Sequence, residues 1–400
     1  MSGLGRDRLV QGWLLVKALS DAGDALWTVA LAWTAVQVAS PALAGLVVAA
    51  GAIPRALVLL FGGVVADRHE ARWLMLGVNA VRVAVLVATC GWVLVVGATV
   101  PVLLVAAVSF GICDALYEPS AATISRQLVT PDQLPAYTGA AQTLTRIGSM
   151  SGAAVGGVVV AGWGLGGSAA ANAVTFGVVV AYLALALRPR YPLPRTTAEP
   201  VLRGVARGFA HLKEEPTTRT LVLTLSGLNL AVSPALALGV ALRVQQEGWG
   251  AHTLGVLEAL VGLGAAAGSL ALLRWRPRHE AVAGFWFLVL QGLAIVGIGT
   301  GSLAATVAAC AAIGVTAGAA SSLLGAVFVA TVDGEYLGRM ASITRLGDDV
   351  LMPVAMAAFG AVAGGAGVGT ACAVFGLAMA VLMAFPLSRP VVRRMSLQDA

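Results

Sequence analysis

Long apolar segments separated by short polar or glycine-rich stretches dominate the pattern of this chain. A helix needs about 20 consecutive apolar residues to cross the hydrocarbon core of a bilayer. Strict polar–apolar alternation over about 10 residues, typical of membrane β-barrel strands, is absent. The pattern therefore predicts an all-α membrane protein with twelve transmembrane helices. The twelve segments lie near residues 10–37, 42–65, 73–97, 101–123, 137–162, 168–187, 220–242, 252–273, 281–300, 303–331, 338–362 and 367–387.

Two of these boundaries depend on glycine rather than on charge. The glycine-rich stretch 162–167 separates segments 5 and 6, and the stretch 364–369 separates segments 11 and 12. Glycine readily adopts the backbone conformations that end a helix. We therefore expect a turn in each stretch.

The composition agrees with a lipid environment. Hydrophobic residues make up 58% of the chain and charged residues only 11%, whereas soluble proteins carry about 25% charged residues. An ordinary soluble enzyme is excluded, because too few polar residues are present to cover its surface. No catalytic motif and no metal-ligand spacing is found, so we predict no enzyme activity, no metal and no cofactor.

The basic residues fix the expected orientation. With the N-terminus in the cytoplasm, nearly all loop arginines and lysines fall on the cytoplasmic side, and Arg243 is the exception. This is the distribution that the positive-inside rule describes. It explains the net charge of +6 without a nucleic-acid partner. We expect a multi-pass protein of the cell membrane with both termini in the cytoplasm.

A long polar segment, 188–219, divides the chain into two halves, 1–187 and 220–400, with six segments each. Its prolines predict an extended start, and residues 200–213 form an amphipathic pattern that suits an interfacial helix. We therefore predict an N-terminal six-helix half, a central cytoplasmic loop and a C-terminal six-helix half.

Two short internal repeats support a duplication. The sequence LTRIG at 144–148 returns as ITRLG at 343–347, in the fifth segment of each half. The sequence RHEA at 68–71 returns at 278–281, between segments 2 and 3 of each half. A duplicated six-helix half is a transporter architecture, with the binding site between the halves near mid-membrane.

The loop between segments 2 and 3 resembles a signature of the major facilitator superfamily. It reads GVVADRHEAR and is similar to the family pattern G-x-L-a-D-R-x-G-R-K, from which it departs at two positions before Arg72. The resemblance implies that Gly63, Asp67, Arg68 and Arg72 form a cytoplasmic latch. Asp67 would lie at the N-terminal end of helix 11, where the helix dipole favours an anion.

Segment 5 carries a second resemblance to that family. Its glycines match the antiporter motif G-x8-G-x3-G-P-x2-G-G at every glycine, with alanine in place of the proline. In the family this motif marks exporters. Glycines at this spacing provide a flat helix face for close packing. The matching residues are Gly139, Gly148, Gly152, Gly156 and Gly157.

Further stretches look like the efflux branch of the family, which includes macrolide and siderophore exporters. They are the run LSDAGD at 19–24 and the pair Ile53-Pro54. The resemblance implies a secondary transporter that works by alternating access.

Charged residues inside the predicted spans are the candidate functional residues. Such a residue costs about 2.5–3.5 kcal/mol at mid-membrane, so it usually has a partner, a water-filled cavity or a function. The resemblance implies that helices 1, 4, 7 and 10 line the cavity. The candidate proton-coupling acids are Asp24, Asp114, Asp21 and Glu118.

The remaining candidates are residues of the cavity or of charge pairs. The i, i+4 spacing predicts the ion pairs Lys17–Asp21 and Arg345–Asp349. Most tryptophans, Trp13, Trp33, Trp73 and Trp92 among them, suit interface anchors, and Trp27 is also a candidate cavity residue. The full set is Lys17, Arg82, Arg146, Trp27, Tyr117, Arg345, Asp348 and Asp349.

Several functions compete on this evidence. The first is a proton-coupled exporter of a small amphiphilic or drug-like molecule, with the substrate, protons and the lipid bilayer as partners and a monomer as the expected state. An importer or facilitator of the same fold is the near alternative. A membrane enzyme or sensor would need a constellation of catalytic side chains at one membrane face, and no loop is long enough to build one.

Overall fold

The structure is a computed structural model that describes residues 7–52, 54–55, 58, 70–191, 212–213, 215–272, 274–275, 277–332 and 336–389. All regular secondary structure in these ranges is helical. Eight of the described helical segments are long and apolar enough to cross a membrane, and a shorter apolar stretch covers Val350–Ala366.

The first five helices correspond to predicted segments 1 to 6. They are α1 (Arg8–Val38), α2 (Pro41–Ala49), α3 (Ala71–Val96), α4 (Val100–Leu128) and α5 (Leu134–Leu185). α1 spans 31 residues but carries four charged side chains, and it is not among the eight apolar helices. Only part of segment 2 lies within the described residues.

Seven further helices correspond to predicted segments 7 to 12. They are α6 (Pro216–Pro234), α7 (Ala241–Gln246), α8 (Ala251–Ala271), α9 (Glu280–Ile298), α10 (Leu303–Thr331), α11 (Leu337–Ala366) and α12 (Val368–Ala384). A π-helical turn, Ala235–Val240, joins α6 to α7 directly after Pro234. Proline removes one backbone donor and pushes against the preceding turn, and such a π-turn accommodates it within a continuous span.

Both glycine-based boundaries are confirmed. α5 is broken at Gly164, where φ is 62° and ψ is −162°. Gly367, with φ 88°, separates α11 from α12. A side chain would be strained at either position. With these breaks, the helices are consistent with twelve spans, and the predicted all-α membrane fold is confirmed.

The chain divides into two compact units. Among the described residues, the first unit contains those up to 39, those from 47 to 191, and 249–259. The second unit contains residues 40–46, those from 212 to 248, and those from 260 onward. The predicted boundaries of the two halves, 1–187 and 220–400, stay a prediction.

Within the first unit, α1 and α5 pack closely through three glycines of the antiporter-type motif. A Cβ atom at Gly148 would lie 2.3 Å from the carbonyl oxygen of Ala18, and one at Gly152 would lie 2.1 Å from that of Ala22. One turn further on, Gly156 contacts the backbone of α1 in the same way. No side chain fits between the helices, so these glycines fix α1 against α5.

The start of α1 is held by polar contacts of its N-cap residue, one of them to the segment that follows α5. The Asp7 carboxylate accepts hydrogen bonds from the backbone N–H groups of Leu9 and Val10, as an N-cap residue does. The same carboxylate forms an ion pair with Arg190. The guanidinium of Arg190, together with these N–H groups, holds the pKa of Asp7 below its usual range.

The interpretation of Trp13 and Trp33 as interface anchors is wrong. Trp13 is fully buried, and its Nε1 donates to the Tyr137 hydroxyl over 3.0 Å. Trp33 is also buried, whereas Trp73 and Trp92 are about half exposed. An indole is buried readily when its N–H finds a hydrogen-bond partner. The composition of a segment does not show whether such a partner is present on a neighbouring helix.

Candidate functional site

The charged face of α1 forms one closed network with α5. The Nζ of Lys17 lies 2.8 Å from Oδ2 of Asp21, so the two residues form the ion pair that their spacing predicts. Thr145 of α5 contacts both groups, because its hydroxyl accepts from Lys17 and donates to Asp21. Asp21 is thus satisfied by two partners in the first unit.

Asp24, one turn further along α1, is placed differently. It is half-buried, and its carboxylate makes no hydrogen bond or ion pair with any residue that the structure describes. The charged groups with the largest electrostatic effect on it are Arg82, Asp114, Asp21 and Lys17, with Arg82 first. Asp24 is therefore the carboxylate of this group that has no ion-pair partner among the described residues.

Arg82 of α3 lies at the centre of the site. Its side chain is almost fully buried and forms an ion pair with Asp114 of α4. The guanidinium carbon also lies 4.9 Å from the ring centroids of Tyr117 and Phe176 and 5.9 Å from that of Phe110. Aromatic faces stabilise a desolvated cation at such distances. The aromatic cage, as we call these three rings, holds Arg82 in place.

Four buried polar atoms around this cage have no hydrogen-bond partner among the described residues. The Trp27 ring stacks on Phe110 at 5.6 Å, and Asn172 lies against α1 at Gly23. A buried polar group without a partner costs about 1–3 kcal/mol, and such groups in a native structure call for an explanation. The four atoms are Arg82 Nε, Trp27 Nε1, Tyr117 Oη and Asn172 Nδ2.

The fourth candidate acid, Glu118, lies apart from this network. Its carboxylate is 2.6 Å from the guanidinium of Arg55, which follows α2. Both side chains are partly exposed. Arg146, a candidate cavity or charge-pair residue, has an exposed side chain on α5 beside Thr145.

In the second unit, Asp348 of α11 accepts a hydrogen bond of 2.8 Å from Asn229 of α6. The predicted pair Arg345–Asp349 lies on the same helix, but both side chains are outside the described part of the chain. The pairing of Arg345 with Asp349 stays a prediction.

Most of the predicted latch, namely Gly63, Asp67 and Arg68, lies outside the described residues. Arg72 is described, and it is buried within the first unit. Its guanidinium donates to the backbone carbonyls of Leu183 and Ala184 over 2.7 and 2.8 Å. It therefore caps the C-terminal end of α5, where carbonyl groups lack helical partners and favour a cation.

The antiporter-type motif divides into packing and non-packing glycines. Gly148, Gly152 and Gly156 contact α1, as described above. Gly157 lies against Ala251 and Gly255 of α8, within the first unit, whereas a Cβ atom added at Gly139 would meet nothing within 4 Å. The predicted close packing of this face therefore involves four of the five glycines.

Sequence reasoning missed Phe110, Phe176, Asn172 and Thr145. Each is an ordinary residue of its span, and each becomes part of the site through a partner on another helix. Asn172 alone carries a usable signal, because an amide inside an apolar span is costly and is usually satisfied by another helix.

Ionic groups buried among the spans of an all-helical membrane protein are typical of transporters, among other multi-pass proteins. The sequence matches the profile of the Major Facilitator Superfamily over residues 13–348. The chain therefore belongs to the Major Facilitator Superfamily, and it is a transporter rather than an enzyme. No curated protein sequence matches the chain.

Solved structures show the same fold. A bacterial homologue of the human lysosomal transporter Spinster, inward-facing and unoccupied, is 17% identical, with a TM-score of 0.69 over 100% of this chain and 99% of that chain. A bacterial homologue of the iron transporter ferroportin is 15% identical, with a TM-score of 0.73 over 96% of this chain and 99% of that chain. The nucleoside transporter NupG is 13% identical, with a TM-score of 0.71 over 94% of this chain and 97% of that chain.

Proposed function

We propose that the protein is a proton-coupled exporter of small amphiphilic or drug-like molecules that works by alternating access. The observation that carries the proposal is the state of Asp24. Its carboxylate is half-buried in α1 and has no partner among the described residues, yet it lies within electrostatic reach of Arg82 and Asp114. An ionisable group kept at such a site, at considerable cost, is typical of a proton relay in a transporter.

The four candidate acids then have different roles. Asp21, Asp114 and Glu118 each contact a base, respectively Lys17, Arg82 and Arg55. A carboxylate that is already paired loses an ion pair when it is protonated, whereas Asp24 loses none. Asp24 therefore carries the proton in this proposal, and Asp114 keeps Arg82 in position.

Export is favoured over import by the glycine motif of α5. The motif resembles that of exporters in the same family, and its glycines make the close contacts with α1. An importer or facilitator of the same fold is the alternative. An importer predicts that the substrate moves in the same direction as the proton, and a facilitator predicts transport that does not depend on protons.

The same proposal includes the arrangement in the cell. The protein acts as a monomer in the cell membrane with both termini in the cytoplasm. The halves 1–187 and 220–400 move relative to each other, and Gly63, Asp67, Arg68 and Arg72 form the cytoplasmic latch. The support for this arrangement is the distribution of basic residues and the loop motif.

Transport by purified protein in proteoliposomes tests the proposal. With an acidic lumen, the wild type is expected to accumulate at least one of two probes, the cationic dye ethidium and the uncharged drug chloramphenicol. A proton ionophore should abolish accumulation, and Asp24→Asn should reduce its rate by at least about tenfold. The matched control is Asp132→Asn, which removes an exposed acid from the loop between α4 and α5.

The outcomes separate the alternatives. Wild-type transport rates in Asp24→Asn would refute the role of Asp24. Transport that the ionophore does not change would indicate a facilitator, and accumulation only when the gradient is reversed would indicate an importer.

A further inference from the structure

Three helix ends of the first unit meet at the membrane face where α1 begins. The ion pair between Asp7 and Arg190 joins the start of α1 to the segment that follows α5. The backbone N–H groups of Arg190 and Tyr191 donate to the carbonyl of Gln127, in the last turn of α4, over 2.9 and 3.0 Å. These contacts hold the ends of α1, α4 and α5 together, and each of these ends carries arginine.

Three arginines at these ends are open to an anion. Arg8 is the first residue of α1, Arg126 lies in the last turn of α4, and Arg188 follows the end of α5. All three side chains are exposed. None of their guanidinium groups forms an ion pair with a residue that the structure describes. We call Arg8, Arg126 and Arg188 the arginine cluster.

The acids at this end of the first unit do not cancel its bases. Among the described residues, the starts of α1 and α3, the ends of α4 and α5 and the loop between α4 and α5 carry five arginines and three carboxylates, a net charge of +2. One of these carboxylates already has its own base, because Asp7 pairs with Arg190. The residues are Arg8, Arg72, Arg126, Arg188, Arg190, Asp7, Glu70 and Asp132.

An apolar surface of α5 leads directly to the arginine cluster. Val174, Val178 and Leu185 share one face of the helix, and all three are exposed. Exposed aliphatic side chains of a membrane span pack against acyl chains, which are equally apolar. Arg188 follows Leu185 by three positions. The half-exposed Trp73 starts the neighbouring helix α3, and tryptophan is enriched at the level of the lipid headgroups.

This combination fits a phospholipid with a net negative headgroup. Guanidinium groups present planar pairs of donors that match the oxygens of a phosphate, and long basic side chains at helix ends reach the headgroup level. A zwitterionic phospholipid carries its own ammonium group, so it would leave the positive charge of the cluster in place. A free phosphate would contact the arginines but would leave the apolar face of α5 unused.

We propose that this surface is a binding site for an anionic phospholipid. The headgroup lies on the arginine cluster, and the acyl chains lie along the face of Val174, Val178 and Leu185. The site does not involve Asp24, so it is independent of the proposed function and of the direction of transport. A bound lipid links the ends of α1, α4 and α5 and therefore stabilises the folded protein.

Lipid binding to the purified full-length protein in detergent tests the site. The probes are phosphatidylglycerol and phosphatidylcholine with identical acyl chains, and glycerophosphoglycerol, which is the anionic headgroup without chains. Native mass spectrometry counts the lipids that stay bound at each concentration. Phosphatidylglycerol is expected to bind at least about tenfold more tightly than phosphatidylcholine. Glycerophosphoglycerol at an equal concentration should not displace it.

Single variants make the test specific to the arginine cluster. Arg188→Gln and Arg126→Gln should each weaken phosphatidylglycerol binding by about fivefold, the factor that one base near an anionic membrane surface contributes. The double variant should weaken it by at least about tenfold. Arg188→Lys keeps the charge and should lose less than Arg188→Gln. The matched control is Arg219→Gln, which removes an exposed arginine of α6 that has Glu215 one turn before it.

Thermal unfolding provides a second readout. In detergent without phospholipid, the Arg188→Gln/Arg126→Gln variant should unfold with the wild type, because both side chains are exposed and have no described ion-pair partner. Added phosphatidylglycerol should raise the melting temperature of the wild type and of Arg219→Gln more than that of the double variant. Equal increases in all three proteins would contradict the site.

The binding outcomes are equally decisive. Equal affinity for the two phospholipids would overturn the proposal, and so would wild-type binding in the double variant. An equal loss in Arg219→Gln would show that any exposed arginine attracts the lipid, which also overturns a site at these three helix ends. Displacement of the lipid by glycerophosphoglycerol would indicate a site for a soluble phosphodiester instead of a lipid.

Discussion

Arg82 illustrates, at the scale of single residues, how a charge is kept in the membrane-spanning part of the protein. Its ion pair with Asp114 joins α3 to α4, and three aromatic rings cover the guanidinium. The Lys17–Asp21 pair could be predicted, because residues four apart share a helix face. The Arg82–Asp114 pair could not, because nothing in the sequence places two residues of different helices side by side.

The first prediction concerns this pair. Arg82→Gln leaves Asp114 without its base, and we expect a loss of stability of up to about 3 kcal/mol, since removing one partner of a buried pair is strongly destabilising. The double variant Arg82→Gln/Asp114→Asn leaves no charge and should recover most of the loss. Thermal unfolding followed by size-exclusion chromatography measures both. Equal losses in the single and double variants would show that the aromatic contacts, rather than the charge pair, stabilise this region.

At the scale of helices, α5 has two separate features, its glycine face and its capped end. The glycine pattern predicted close packing, and three of its glycines indeed contact the backbone of α1. The partner helix could not be predicted, because a small-residue face fits any smooth neighbour. The cap was also missed, since Arg72 and the carbonyls of Leu183 and Ala184 are more than 100 positions apart.

The glycine face provides a matched pair of variants. Gly152→Val puts a side chain where a Cβ would already lie 2.1 Å from the Ala22 carbonyl oxygen, so we expect a large loss of folded protein. Gly139→Ala meets nothing within 4 Å and should stabilise α5 by up to about 1 kcal/mol. Yield and melting temperature of the purified variants check both. If Gly152→Val folded as well as Gly139→Ala, the close contact of α1 and α5 would be wrong.

The cap gives a second prediction for α5. Arg72→Ala removes the donors that satisfy the last carbonyls, and we expect a loss of about 1–3 kcal/mol in stability. Arg188→Ala is the control, because Arg188 lies at the same end of the helix and is exposed. It should change stability by less than about 0.5 kcal/mol. Similar melting temperatures for the two variants would exclude the capping role.

For the whole molecule, the run of apolar segments predicted the fold class and the position of nearly every helix. Hydrophobic length is a direct consequence of bilayer thickness, so it can be read without knowing any contact. The two glycine breaks, Gly164 and Gly367, were also predictable from the local sequence, because glycine readily adopts the conformations that end a helix. The buried cluster of the first unit was not, because it depends on which helices become neighbours.

The orientation in the membrane is the prediction at this scale. Basic residues in the loops predict that both termini are cytoplasmic. A green fluorescent protein fused after residue 400 should therefore fluoresce, and alkaline phosphatase fused there should be inactive. Phosphatase fused after Gly248, between α7 and α8, should be active. The opposite pattern of activities would require an inverted topology.

The close contact of α1 with α5 has a further consequence for how Asp24 meets water. Gly148, Gly152 and Gly156 bring the backbones of the two helices into direct contact, and the Lys17–Asp21–Thr145 network links the helices beside them. Asp24 therefore belongs to a closely packed pair of helices. We expect any change in its exposure from one aqueous compartment to the other to come from elements outside this pair, which open or close the path for water.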